Sequence, residues 1–246
     1  MNLVYKRPSC IGATKPNNYC PGCMHSTVVR LVGEVMESLG IVEQTVVIAG
    51  VGCNANGTFG YMDIDTISAP HGRACAVGSA YKRCNPDNVV FTYQGDGDLA
   101  SIGFAETMHA ANRGDNITAI FINNAQYGMT GGQMAPTTLL GMKTTTTPYG
   151  RDARVHGYPM HVCEMMNLFQ APSYIARGTC TSPQNVRKTK EYITKAFQAQ
   201  LDGKGFSIVE VLSACPGNWG MSPLKCIDFI EDKLIKEFPL GEFRAR

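Results

Sequence analysis

The sequence has no run of basic residues, no internal repeat, no low-complexity stretch and a single tryptophan. With a net charge of +2 and no basic cluster, nucleic acid is not an expected partner. The longest apolar runs, "TVVIAGVG" and "NITAIFIN", are too short to cross a bilayer, so no membrane span is expected. The opening "MNLVYKRPSCIGA" lacks the apolar core of a signal peptide, which predicts a cytoplasmic protein. Cysteine, at ten in 246 residues, is too dilute for a disulfide scaffold, and a chain of this length can bury a core without one. In a reducing compartment a cysteine defaults to a small buried hydrophobe. That reading is given to Cys10, Cys75, Cys84, Cys163, Cys180 and Cys226.

What is present is an alternation of strand and helix signals. Short β-branched runs predict strands over 45–50, 88–96, 116–124, 173–178 and 206–215. Helical spacing with start and stop residues predicts helices over 74–84, 99–114, 163–171, 182–203 and 222–237. A further helix follows "CPGC", its stripe "MHSTVVRLVGEVM" read as core. Strands that are continuous apolar runs, separated by helices, predict an α/β fold: a mostly parallel sheet flanked by helices, in one domain over 1–246. Ligands in such sheets bind at the carboxyl ends of the strands. Four unusual stretches follow strands: "GVGC", "GDGD", "NNAQYG" and "SACPGN".

Gly95 and Gly97 in "GDGD" permit a tight turn, and the helix after it aims its first amides at that turn, which suits a diphosphate. Asp96 and Asp98 would repel a phosphate unless a divalent cation stood between. Mg²⁺ takes oxygens from one or two carboxylates and from substrate phosphates. Asp96 and Asn124, at the ends of what read as adjacent strands, could both contribute oxygens to one ion. Each motif alone is an ordinary turn sequence. Together, one strand–helix–strand unit apart, they resemble the thiamin diphosphate signature. That resemblance implies Mg²⁺ held by Asp96, Asn124 and the backbone carbonyl of Gln126.

"CPGC" at 20–23 has three ordinary readings: a redox dithiol, half of a zinc site, or part of an iron–sulfur site. Cys53 and Cys215 also follow strands, and each is flanked by glycine or proline, so backbone amides can approach cluster sulfurs. One CxxC with two remote cysteines suits a [4Fe–4S] site, whereas zinc in a four-cysteine site usually shows two such knuckles. These alternatives stay open on the residues alone.

"CPGCMHSTVVRLV", "GVGCN", "HGRACAVGSAYKRCNP", "GDGDLASIGFAETMHAANR", "NNAQYGMTGGQMAPTT" and "CPGNWGMSP" occur in an order similar to that of the β subunits of 2-oxoacid:ferredoxin oxidoreductases. The resemblance runs from about 17 to 240. It implies a thiamin diphosphate-binding fold, with Cys20, Cys23, Cys53 and Cys215 holding a [4Fe–4S] cluster. A Cys-containing segment over about 10–25 would contribute to that site. The cofactor would lie against Cys53, Asn54, His71, Gly72, Gly95, Asp96, Gly97, Asp98, Asn124, Gln126, Tyr127, Gly128, Met129 and Thr130. His71 in "APHGRA" is then a candidate proton donor, and Arg73 is left without a role. The Met/Thr-rich stretch over 127–150 is too long for an inert connection and reads as a cofactor-covering loop. Where the family often has "GCSSR" with a basic residue nearby, this chain has "GCNANGTF", and "CPGCG" is "CPGCM".

The implied chemistry is oxidative decarboxylation of a 2-oxoacid with coenzyme A, giving an acyl-CoA, CO₂ and electrons for ferredoxin. The C-terminal "NWGMSP" and "FPLGEF" look like the 2-oxoisovalerate or 2-oxoglutarate groups. The resemblance further implies an α subunit bearing the pyrimidine-binding domain, a γ subunit and a ferredoxin-like δ subunit. Two other functions stand beside it. A non-oxidative two-chain thiamin decarboxylase would carry no iron, and a non-enzymatic cluster-binding module would not bind the cofactor.

Overall fold

The computed structural model describes residues 6–12 and 17–246, so residues 13–16 of the Cys-containing segment expected over 10–25 lie outside the described residues. Among the described residues the strands are β1 (Thr45–Ala49), β2 (Asp65–Ser68), β3 (Val89–Gly95), β4 (Thr118–Asn123), β5 (Gln126–Tyr127), β6 (Gln133–Met134), β7 (Tyr174–Thr179), β8 (Ser207–Leu212) and β9 (Gly241–Ala245). Seven form one sheet in the order β2-β1-β3-β4-β8-β7-β9, and β5 and β6 form a separate hairpin. Every pairing in the large sheet is parallel except β7 with β9. The predicted mostly parallel sheet is what the chain forms.

The helices bearing on the site are α1 (His25–Leu39), α2 (Cys53–Gly60), α3 (Ala74–Cys84), α4 (Phe104–Arg113), α5 (Ala153–His156), α6 (Val162–Asn167), α7 (Pro183–Leu201), α8 (Pro216–Trp219) and α9 (Pro223–Phe229). Strand side chains alternate between two buried layers because successive residues point to opposite faces. Val47, Phe91, Tyr93, Ile120 and Ile122 pack with α1 and α7. Ile48, Val90, Ala119 and Phe121 pack with α3, α4 and α6. Burial on both faces is why apolar residues in the central strands are not confined to every second position.

Local signals set the helix ends. The Ser182 side chain accepts the Asn185 N–H, and Pro183 occupies the first turn of α7. Gly40 closes α1 in the left-handed conformation at φ 67°. The predicted 99–114 helix is divided: a π-helical turn over Gly97–Ile102 precedes α4. Gly103 marks the break, because a Cβ there would lie 2.5 Å from the Gly72 carbonyl oxygen. Edge strands β2 and β9 and helix α2 were not foreseen; β2 is partly exposed along its length and so lacks an apolar run. Cys10, Cys75, Cys163 and Cys226 are buried as expected. Cys84 is a correction: it ends α3 on the solvent side and is exposed, while Cys180 is half-buried.

One buried side chain completes the sheet. Before β4 begins, Val90 has no strand partner on that side. The Gln200 amide from α7 fills the place, accepting from Val90 N at 2.7 Å and donating to Val90 O at 2.8 Å. Removing it leaves a buried N–H and C=O unpaired, at about 1–3 kcal/mol for each such group. Gln200→Leu, similar in volume, is therefore expected to lower unfolding free energy by about 2–4 kcal/mol. Equilibrium denaturation checks it; a loss below about 0.5 kcal/mol would mean that Gln200 only fills space.

Candidate functional site

The carboxyl ends of β1, β3, β4 and β8 meet at one end of the sheet and bring together the four stretches singled out in the sequence. β3 ends at Gly95, and the buried Asp96 carboxylate accepts the Gly97 N–H at 2.8 Å and the Thr137 hydroxyl at 2.8 Å. Burial pushes the Asp96 carboxyl up to about 7, because a charge there has lost its water. Gly97 is required by close approach: a Cβ would lie 2.2 Å from the Tyr127 ring, which folds over the turn.

β4 and β3 are neighbours, so Asn124 stands beside Asp96 as the motif spacing implies. Asn124 Oδ1 accepts the Gln126 N–H at 3.2 Å and keeps a second lone pair. The Gln126 Nε2 group is buried without a partner at full hydrogen-bond geometry, yet lies near enough to Cys215 to favour its thiolate. A buried carboxylate with neutral donors and no cationic neighbour among the described residues, an amide oxygen with a free lone pair and an orphaned amide N–H form a polar floor that fits a bound cation and its anion.

Asp98, which lines the cleft as the sequence reading expects, is also tied into the protein. Its Oδ1 accepts Gly72 N at 2.8 Å and Val51 N at 3.2 Å, and its Oδ2 accepts Gln94 Nε2 at 2.6 Å. A Cβ at Gly50 would sit 2.3 Å from Asp98 Oδ2, so that glycine admits the carboxylate. The oxygens of Asp98 are thus taken up by the protein, and its effect on a ligand passes through the loops it ties. His71 Nδ1 lies 2.5 Å from Asp98 Oδ1, off the line of a hydrogen bond. Its ring is about one-third exposed.

A cleft of about 500 Å³ opens over this floor. Every residue expected against the cofactor lines it except Gly72, which packs beneath against Ile102 and Gly103. His25, Val51 and Gly52 also line it and were missed by the sequence reading. His25 is buried, stacks on Tyr19 with ring centroids 4.9 Å apart, and has Nδ1 2.9 Å from Tyr93 Oη. Burial holds its imidazole down at about 4, so it is neutral at pH 7. Its position two residues after Cys23 was the only available signal.

The long segment after Tyr127 is ordered by Arg151. This buried guanidinium donates to the carbonyls of Ala135, Pro136, Thr138, His156, Gly157 and Tyr158. The segment's start, through Thr130, lines the cleft. Its middle buttresses the floor, with Thr137 on Asp96 and Thr138 donating to the Ala125 carbonyl. Arg73 pairs with Glu106.

Beside the cleft is a second chamber of about 500 Å³, lined by Cys20, Cys23, Cys53 and Cys215. The "CPGC" turn closes through Cys23 N donating to Cys20 O at 3.0 Å, with Gly22 at φ 81° against Pro223. Cys215 precedes α8, and the Asn218 amide lies 3.6 Å from its sulfur. Burial, reinforced by the neighbouring cysteines, pushes the Cys23 thiol up to about 12 and the Cys53 thiol up to about 11. A cationic group between them would reverse that. Among the described residues no three His, Cys, Asp or Glu side chains converge on a single-ion site. Four thiols around an open chamber fit a cluster better than one zinc ion. His25, Cys53, Asn124 and Gly128 line both spaces. A Cβ at Gly128 would lie 3.3 Å from Asn124 Nδ2, 3.4 Å from Cys53 Sγ and 3.6 Å from Cys215 Sγ, so at this residue the shared wall is bare backbone.

Comparison with known proteins agrees with this geometry. Residues 44–211 match the family described as "Thiamine pyrophosphate enzyme, C-terminal TPP binding domain". The chain is 47% identical over 234 residues to the ketoisovalerate oxidoreductase subunit VorA of Methanothermobacter thermautotrophicus, covering 95% of this chain and 49% of that one. It therefore spans about half the length of that relative. It is 35% identical over 221 residues to the 2-oxoglutarate synthase subunit KorB of Archaeoglobus fulgidus, covering 88% of this chain and 76% of that one. A solved 2-oxoglutarate:ferredoxin oxidoreductase from Magnetococcus marinus, with 2-oxoglutarate, coenzyme A and succinyl-CoA bound, superposes with a TM-score of 0.83 at 27% identity. That match covers all of this chain and 87% of the other. Among the described residues no helix is long and apolar enough to cross a membrane.

The Asp96 carboxyl gives a pH test. In the metal-free protein the folded state keeps a proton that the unfolded chain releases near 3.8, so stability declines as pH rises from about 4 to about 7. The decline attributable to Asp96 is about 4 kcal/mol. Subtracting the Asp96→Asn variant at each pH isolates it, since buried His25 contributes with the opposite sign. Parallel stability curves for the two proteins would refute the assignment.

Proposed function

The chain belongs to the thiamine pyrophosphate enzymes, among the 2-oxoacid:ferredoxin oxidoreductase subunits, and on that premise we propose that it binds thiamin diphosphate, Mg²⁺ and a [4Fe–4S] cluster and catalyses oxidative decarboxylation of a 2-oxoacid with coenzyme A. The observation that carries this reading is the shared wall: a cleft with a carboxylate–amide floor and a chamber of four cysteines have His25, Cys53, Asn124 and Gly128 in common. A non-oxidative thiamin lyase has no use for the second chamber.

In this reading Asp96, Asn124 and the Gln126 carbonyl hold Mg²⁺, and the amides that open the helical segment after Asp96 face the diphosphate. Bound there, thiamin diphosphate supplies the electron sink for decarboxylation. The protein's part is positional. Asp98 fixes the Val51 and Gly72 loops on either side of the cleft, and Tyr127 closes over Gly97. His25 presents a neutral ring to both spaces, and His71 stands at the open side as a candidate proton donor. Cys20, Cys23, Cys53 and Cys215 hold the cluster that takes electrons onward to ferredoxin. The remaining parts of the site belong to partners: an α subunit with the pyrimidine-binding domain, a γ subunit and a ferredoxin-like δ subunit. Val51 and Met129 at the cleft are 43% and 51% exposed, apolar surface that such a partner would cover.

The cleft also bears on the substrate. Among its described lining residues there is no Arg or Lys to meet the second carboxylate of 2-oxoglutarate, and Val51 and Met129 offer apolar contact. This supports a branched-chain acid such as 2-oxoisovalerate. The complex is expected to convert 2-oxoisovalerate with a kcat/KM at least about ten-fold above that for 2-oxoglutarate, as acyl-CoA product assays would measure. The reverse order would overturn the assignment.

Anaerobic purification with its partners tests the whole reading. Iron and sulfide amounting to one [4Fe–4S] cluster in this chain, with bound thiamin diphosphate, are expected. Thiamin without a cluster would instead point to a lyase, and a cluster without thiamin to a binding module. Cys20→Ser and Cys23→Ser are expected to abolish ferredoxin reduction while leaving Mg²⁺–thiamin diphosphate affinity within about three-fold of wild type, a loss below ~0.7 kcal/mol. Full ferredoxin reduction by either variant sinks the ligand assignment.

A further inference from the structure

A buried charge cluster lies directly behind the 123–126 turn. Arg177 of β7 is fully buried and is the register partner of Glu210 on β8. Its Nε donates to Glu210 Oε2 at 2.7 Å, and its two terminal nitrogens donate to Glu164 at 2.8 and 2.6 Å. The guanidinium also lies 5.4 Å from the Phe238 ring and 5.0 Å from the Phe243 ring. Glu210, also fully buried, accepts in addition the Cys163 thiol at 3.1 Å and Asn123 Nδ2 at 2.7 Å. A buried ion pair is a weak source of stability compared with well-packed apolar residues, which leaves its presence here to be explained.

The bond to Asn123 supplies a reason. With Nδ2 held by Glu210, the Asn123 amide must turn Oδ1 toward the chain, where it accepts Ala125 N at 3.1 Å. Ala125 has φ 60°, and among the described residues it is the one non-glycine residue in the left-handed region. It sits between Asn124 and Gln126, the two oxygen donors assigned to Mg²⁺ alongside Asp96.

We propose that Glu210 is a positioning residue for the Mg²⁺–diphosphate site. Backed by Arg177, it locks the Asn123 amide, which holds Ala125 left-handed and so sets where Asn124 Oδ1 and the Gln126 carbonyl stand. This rests on the thiamin diphosphate reading given above. The chemistry is specific to a carboxylate, because Arg177 Nε, Cys163 Sγ and Asn123 Nδ2 are three donors pointing at one group. A glutamine there offers one acceptor oxygen and an NH₂. Its oxygen stays with Arg177, which can only donate, so its NH₂ meets the Asn123 NH₂. Asn123 can then pair only by flipping, and flipping gives up the Ala125 N–H. Adding Asn123→Asp puts an acceptor toward both groups and restores the net charge.

The test uses the whole complex, purified anaerobically. Calorimetry measures thiamin diphosphate affinity at fixed Mg²⁺, and hydrogen exchange follows the segment containing Ala125 in the metal-free protein. Glu210→Gln is expected to weaken cofactor binding on the order of ten-fold and to speed exchange in that segment. Glu210→Gln with Asn123→Asp is expected to recover both to within a few-fold. Wild-type affinity in Glu210→Gln, or an affinity loss without faster exchange, overturns the positioning role and leaves the thiamin reading intact. A wild-type complex that binds no thiamin diphosphate overturns both. If the single variant does not fold, the double variant decides: failure to recover cofactor affinity overturns the proposal.

Discussion

The loops after β1 and before α3, on either side of the cleft, are held in place by one buried carboxylate. Asp98 accepts backbone N–H groups from the segment after β1 and from the segment before α3, and a side-chain amide from β3. Without those bonds the three segments would each need water or other partners for buried N–H groups, and the cleft between them would have no fixed width. Burying the carboxylate is compensated locally by three donors, with the His71 ring beside them. Glycines at 50 and 72 belong to the same arrangement. One makes room for the carboxylate, and the other brings its own backbone against Gly103.

Two carboxylates two residues apart thus do opposite things. Asp98 is fully engaged and organises the protein. Asp96 is buried just as deeply, and that burial pushes its carboxyl up to about 7, a shift that a bound cation would oppose. The sequence "GDGD" makes them look equivalent. The difference arises from direction, since the π-helical turn after β3 points one side chain into the cleft floor and the other back under the loops.

The central strands could be read from residues alone because burial on two faces favours apolar residues on both, as the β-branched and aromatic segments of β1, β3 and β4 show, although Arg177 and Glu210 interrupt β7 and β8. β2 and β9 sit at the sheet edges, bury little, and leave no such pattern. At the site, motif spacing placed Asp96 and Asn124 at the ends of neighbouring strands, because adjacent parallel strands bring their ends together whatever the intervening helix contains. Cys20, Cys23, Cys53 and Cys215, which line one chamber, come from the turn before α1 and from the ends of the non-adjacent β1 and β8, so the resemblance rather than spacing grouped them. His25 was not legible: a histidine on an apolar helix is usually core, and only the stacking on Tyr19 and the contact with Tyr93 reveal its place. The Arg177–Glu210–Asn123 chain was equally hidden, since its members are linked by cross-strand register rather than by any local pattern.

Gly128 has the longest reach of the features described. The partition between cleft and chamber is shared by His25, Cys53, Asn124 and Gly128, so the two spaces cannot vary independently. At Gly128 an enlargement of the group on one side has no side chain to displace and must move the backbone, which is also the other side's wall. Substitutions that retune one compartment are therefore felt in the other. Across descendants of this chain the residues around both spaces are bound to drift as a single set, so that a change in what the cleft accepts arrives together with a change among the neighbours of the cysteines.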